Sequence, residues 1–245
     1  MLTLTADDDR AAALVHAIRT GDLDRLGRLL GEHEGLARAW IRDRKGGARS
    51  PLHVATDWPG YFPNGPAVVR ALIEAGADPN AAMGGGGHAE TPLHWAASSD
   101  DLDVADALLD AGADLEAPGG SIAGGTPLDN AVGYGCWHVA RRLVERGAPV
   151  DRLWHAAALG MLERMHVLLL ADPPPSTEDV NDAFWQACHG GQLRAADVLL
   201  GRGADVNWIP DYARGTGLDI AGGPDTRRGL LLTWLRERGG ANAVE

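Results

Sequence analysis

One short phrase recurs along the chain and limits what it can fold into. It appears as SPLHVA (Ser50–Ala55), TPLHWA (Thr91–Ala96) and TPLDNA (Thr126–Ala131). Each copy leads into a helical apolar pattern and then a turn: EAGADPN (Glu74–Asn80), DAGADLE (Asp110–Glu116) and ERGAPVD (Glu145–Asp151). A later copy closes on GRGADVN (Gly201–Asn207). Thr91 and Thr126 lie 35 residues apart. A period of that size marks a stack of small supersecondary units rather than one folded core.

The physics of one copy can be read directly. Thr91 is placed to cap a helix, and Pro92 stands where a first-turn proline is tolerated. Ala96 and Ala97 are small enough to let a neighbouring helix come close. Val104, Leu108 and Leu109 make the apolar stripe of a second helix, and Gly112 follows at a left-handed C-terminal cap. Val139, Leu143, Val144 and Gly147 repeat the arrangement one copy later. Neither helix pair can bury its stripe alone, so the copies must stack.

The motif alanine and the second-helix leucine are twelve residues apart in Ala17–Leu29, Ala96–Leu108, Ala131–Leu143, Ala156–Leu168 and Ala187–Leu199. With the TPLHxA opening, this pattern resembles the ankyrin repeat, in a bacterial-type, single-domain array. The resemblance implies an all-α ankyrin-repeat solenoid of about seven helix-turn-helix units with short β-turn fingers, a single curved domain over 1–245. The expected units are 10–48 (an N-terminal cap), 49–88, 89–123, 124–149, 150–180, 181–214 and 215–245 (a C-terminal cap ending in the polar run RERGGANAVE).

Three departures from the pattern stand out. An insertion, TDWPGYFPNGP (Thr56–Pro66), stretches the alanine-to-leucine distance and forbids a continuous helix with its prolines. It carries Trp58, Tyr61 and Phe62, and reads either as a cover over an apolar end or as one wall of a binding groove. Next, GAPVDRLWHAA runs from one helix into the next without the projecting hairpin, so the row of fingers should have a gap at Asp151. Unit five then ends in ADPPPSTEDVN, a stiffened connection. Finally, the motif histidine survives as His53 and His94 but becomes Asp129, Trp154, Trp185 and Asp219 elsewhere. In the resembled family that histidine is structural and bonds neighbouring turn backbone.

The resemblance also implies a concave binding face. By position it takes in Asp57 and Trp58, Ser98 and Ser99, Gly133 and Tyr134, Ala158 and Leu159, and His189 and Gly190. Finger candidates are His88, Glu90, Ser121, Ile122, Trp208, Asp211, Tyr212 and Arg214. Trp95, His155 and Gln186 share the slot before the motif alanine, where a polar side chain needs a partner if buried. The candidate binding set is Asp57, Trp58, Tyr61, Phe62, Ser98, Asp129, Tyr134, Trp154, His155, Trp185, His189, Trp208 and Tyr212.

Composition narrows the function. The 245 residues carry a net charge of −12, which argues against nucleic acid and anionic membranes as partners. Of the aromatic residues, 8 are Trp against 3 Tyr and 2 Phe, a bias that suits anchor side chains in a groove. Cys136 and Cys188 are too few for a disulfide framework or a structural zinc site. No transmembrane run or secretory leader is visible, so a cytoplasmic location is expected. Catalytic and metal motifs are missing, Gly84–Gly87 lacks the Lys-Ser/Thr of a phosphate loop, and no cofactor is expected. These features favour a non-enzymatic module that holds a protein or peptide, plausibly a basic one, on a Trp-rich concave face. The alternative is a small-molecule-binding protein, or an atypical enzyme with a pocket under the 57–63 loop, using Asp57, Asp129, His155 or His189 for polar chemistry. A toxin-neutralising immunity protein is a third reading.

Overall fold

The computed structural model describes residues 2–44, 46–84, 88–223 and 228–243. Three of the four glycines at 84–87, expected on a finger, and the last two residues of the C-terminal polar run lie outside the described residues. Among the described residues, fourteen α-helices form seven consecutive pairs, each an inner helix followed by an outer one.

In Met1–Ala148 the pairs are α1 (Asp9–Thr20) with α2 (Leu23–Glu32), α3 (Pro51–Ala55) with α4 (Gly65–Glu74), α5 (Pro92–Ser98) with α6 (Leu102–Asp110), and α7 (Pro127–Gly133) with α8 (Trp137–Glu145). Inner helices pack on inner (α1 on α3, α3 on α5, α5 on α7) and outer on outer, giving two layers. The motif leucines Leu52, Leu93 and Leu128 fill the space between layers, each 1% exposed or less, and Ala55, Ala96 and Ala131 let the inner helices approach closely.

In Pro149–Glu245 the pairs are α9 (Leu153–Ala158) with α10 (Leu162–Leu169), α11 (Thr177–His189) with α12 (Leu193–Leu200), and α13 (Gly217–Ala221) with α14 (Gly229–Glu237). Here α9 packs on α11 and α11 on α13. The division between the two blocks falls at 148/149, where the sequence loses its hairpin.

Several repeats open on a reciprocal cap. Ser50 and His53, Thr126 and Asp129, Ser176 and Asp179, and Thr216 and Asp219 bond each other's backbone N–H groups. Helix α11 therefore starts at Thr177, a turn ahead of the 181 boundary expected from the repeat spacing; the Ser-Thr-Glu-Asp run is its cap, not linker.

The motif histidine does a second job. Its Nδ1 accepts the backbone N–H of Ser50 (3.2 Å) or Thr91 (3.1 Å), so Nε2 carries the proton. His53 Nε2 donates to the Glu90 carbonyl (2.9 Å) and His94 Nε2 to the Gly125 carbonyl (3.1 Å), in each case the residue before the next repeat's cap. Trp185 replaces this bond in kind: its indole N–H donates to the Gly215 carbonyl at 2.9 Å. Aspartate at the same position keeps the cap but has no proton to pass on. Asparagines tie the turns: Asn80 bonds Gly112 and Asp114, and Asn207 bonds Gly239 and Ala241.

A small sheet, which the repeat pattern does not foretell, covers the first repeat. β1 (Thr3–Thr5) pairs in parallel with β2 (Trp40–Arg42), which pairs antiparallel with β3 (Ala48–Arg49). The Asp7–Asp9 run starts α1, with the Asp8 carboxylate accepting the Arg10 backbone N–H at 2.9 Å.

Two predictions follow from the ladder. Trp185→Phe keeps the ring and removes the donor, leaving the part-buried Gly215 carbonyl short of a partner; it should cost about 1–2 kcal/mol in urea unfolding. Burial also holds the His53 imidazole neutral, with its pKa lowered to about 4. An unfolded imidazole takes up a proton near 6.5, so this contribution is complete above that pH and is lost as pH falls towards 4. Urea unfolding at about pH 5 should show roughly 2 kcal/mol less stability per such imidazole than above neutrality, before the carboxylates titrate.

Candidate functional site

The inserted loop defines the site in the N-terminal block. Gly21 ends α1 in the left-handed conformation (φ 64°), and a side chain there would meet the Pro63 carbonyl oxygen at 2.0 Å. This bare backbone seats the loop on the first repeat, aided by Asn64 donating to the Gly21 carbonyl at 3.0 Å. On its other side the loop is tied to the third repeat: the Tyr61 N–H donates to the Asp101 carboxylate at 2.6 Å, and the Tyr61 hydroxyl donates to the Asp100 carbonyl. At the loop's start, Asp57 binds both Arg19 (2.6 Å) and Arg49 (2.9 Å). Phe62 lies under the Arg19 guanidinium at 5.8 Å. With both ends fixed, Trp58 is held out, 77% exposed.

Beneath it lies a cleft of about 570 Å³ lined by Thr56, Asp57, Trp58, Glu90, Trp95, Ser98, Ser99, Ser121 and Tyr134. Its polar centre is Glu90. Oε2 accepts the Trp95 indole N–H (3.0 Å), while Oε1 accepts the Asn130 amide (2.7 Å) and the Ser121 backbone N–H (2.9 Å). Burial alone would raise the pKa of this carboxyl, but the Asn130 and Ser121 donors more than offset it and the net shift is downward, so Glu90 is a carboxylate at neutral pH. Asn130 also bonds Ser98 (3.2 Å), and the Ser121 and Tyr134 hydroxyls meet at 3.2 Å.

Of the candidate set, this cleft gathers Asp57, Trp58, Ser98 and Tyr134, with the finger residues Glu90 and Ser121 and the slot residue Trp95. Tyr61 and Phe62 hold the loop instead. Asp129, expected on the groove, is buried: its carboxylate turns back to the Thr126 N–H and hydroxyl at 2.6 and 2.8 Å. Asn130 was not singled out, although it fills the same pre-alanine slot as Trp95, where an amide is out of place unless it has partners.

The C-terminal block holds a different grouping. Trp185 meets His189 (ring centroids 5.4 Å) and Tyr212 (5.8 Å, edge-on). Gln186 donates to the Tyr212 hydroxyl at 3.2 Å, and Tyr212 donates to Asp182. Burial lifts the Asp182 carboxyl and pushes the His189 imidazole down to about 4. Trp185 and His155 are buried rather than open to a groove, 6% and 2% exposed. Trp154 packs against the His155 ring at 4.0 Å and lines a separate cleft with Pro173–Pro175, Asp179 and Asp182. Trp208 is half-buried on its finger. The candidates thus divide between the two blocks.

Neither cysteine is poised as a nucleophile: burial pushes Cys136 up to about 11 and Cys188 up to about 12. Among the described residues no group of His, Cys, Asp or Glu could hold a metal ion, and no helix is long and apolar enough to cross a membrane.

Residues 64–152 match the family model described as ankyrin repeats (3 copies). No curated protein matches the chain. The crystal structure of the human ASB11 ankyrin repeat domain is similar in fold at 20% sequence identity, with a TM-score of 0.52, over 91% of this chain and 96% of that one.

The cleft network gives a stability prediction. Glu90→Leu strands the donors of Trp95, Ser121 and Asn130 and should lower stability by about 2–3 kcal/mol in denaturant unfolding.

Proposed function

We propose that this chain, whose residues 64–152 match ankyrin repeats and whose fold is that of an ankyrin-repeat domain, is a non-enzymatic binding module that holds a protein or peptide partner in the cleft under the 57–63 loop. Ankyrin arrays use such repeat-built surfaces for protein–protein interaction. The observation that carries the reading is the grouping of Trp58, Trp95 and Tyr134 around one cleft, with Trp58 held largely exposed. Rigid aromatic anchors around a few fixed polar groups are what a binding hot spot needs. The loop's ties to the first and third repeats pre-organise the anchor, which reduces the ordering cost of binding. A cytoplasmic location belongs to the same reading and is supported by two free, buried thiols.

The test is affinity capture from the native host, comparing wild type with the Trp58→Ala/Tyr134→Ala double variant. Both side chains are exposed, so circular dichroism and unfolding should be unchanged within about 0.5 kcal/mol. A partner retained by the wild type should be lost by the double variant. Equal retention of every captured protein would contradict the proposal.

A further inference from the structure

Among the described residues no salt bridge is made by Glu90. Its carboxylate is half-buried at the cleft floor and accepts from neutral donors: an indole, an amide and a backbone N–H. Among the described residues no arginine pairs with it, and the two arginines that border the loop, Arg19 and Arg49, are both committed to Asp57. The indole N–H of Trp95 reaches Oε2, and the Asn130 amide and Ser121 N–H reach Oε1, so the carboxylate is fixed in orientation. The network that holds Glu90 therefore orients a full negative charge at the cleft floor.

The walls around that site are aromatic and available. Trp58 and Tyr134 are 77% and 52% exposed and line the same cleft as Glu90. An aromatic ring face attracts a cation and accepts the methylene stem behind it. A volume of about 570 Å³ lies within the usual range for a pocket that encloses a side chain with its flanking backbone. Aromatic walls and an oriented anion at the floor, with no cationic side chain among the described lining residues, are complementary to one kind of group.

We propose that this cleft receives a cationic side chain, arginine or lysine, from an extended segment of the protein partner, with its stem against Trp58 and Tyr134 and its charged head at the Glu90 carboxylate. This rests on the binding-module reading and adds the chemistry the cleft selects. The Trp95 indole N–H reports on the event directly, because it bonds the same carboxylate that the cation would approach.

The experiment follows the Trp side-chain N–H resonances of the full chain. The titrants are acetylated, amidated peptides Gly-Gly-Xaa-Gly-Gly with Xaa arginine, lysine, citrulline or norleucine. Arginine and lysine peptides should move the Trp95 resonance saturably, at an affinity of about millimolar expected for a single side chain. Citrulline, which keeps the shape and loses the charge, should bind at least about five-fold more weakly, as should Trp58→Ala with the arginine peptide. Glu90→Gln should abolish the charge preference; should that variant fail to fold, Trp58→Ala, an exposed site, still decides the matter. Equal responses to arginine and citrulline, an unchanged affinity in Trp58→Ala, or no response to arginine at about ten-millimolar peptide would each overturn the proposal. If Trp58 and Tyr134 still govern partner capture while arginine and citrulline respond alike, the cation preference fails and the binding module stands.

Discussion

The hydrogen bond from one repeat's motif ring to the carbonyl just before the next repeat's cap sets the rest of the structure. His53 reaches Glu90, His94 reaches Gly125 and Trp185 reaches Gly215. A donor buried at an inter-repeat seam has to be satisfied there, so the bond fixes where each finger begins. Its consequence for the site is specific. His53 binds the backbone of Glu90, the residue whose side chain floors the cleft. A structural imidazole in one repeat thereby aims a carboxylate in the next. The tautomer that makes this possible is set by the Ser50 N–H, so the local cap and the inter-repeat bond depend on each other.

The same economy explains how the motif position varies. Histidine caps its own helix and reaches the next repeat. Trp185 lies within α11, whose cap is supplied earlier by Ser176 and Asp179, and retains only the reach. Aspartate retains only the cap. Asp129 is the last motif residue before the division between the blocks, and in the following repeat the Val150 carbonyl is bonded by the Arg164 guanidinium instead. The lost hairpin, the changed motif residue and the block division fall together along the chain.

Much of this was legible in the sequence, because repeat position is itself structural information. The TPLH phrases, the alanine-to-leucine spacing and the ADxN turns mark the helix pairs, and the insertion at Thr56–Pro66 marks where Trp58 departs from them. Position-by-position transfer also placed Asp57, Trp58, Ser98 and Tyr134 on what proves to be one cleft. What escaped was non-local or disguised. The bond between Glu90 and Asn130 joins residues 40 apart, and neither side chain signals the other. The strands of the N-terminal sheet are two or three residues long, too short for alternation to show. Asp129 looked like a functional replacement of histidine, but an aspartate three residues after a threonine cap is satisfied locally. Tryptophan count overstated the groove, because Trp185 serves the seam and only some of the rings are open.

The central claim is that the Trp58 cleft, and not the outer helices, is where a partner docks. The most direct measurement replaces Trp58 with photoreactive benzoylphenylalanine, an aromatic exchange at an exposed site. A matched replacement is made at Val167, which is 58% exposed on outer helix α10. After irradiation in host extract, the account predicts a discrete crosslinked partner from position 58 and none of the same mass from position 167. Crosslinking from position 167 but not from position 58, or equally from both, would contradict it.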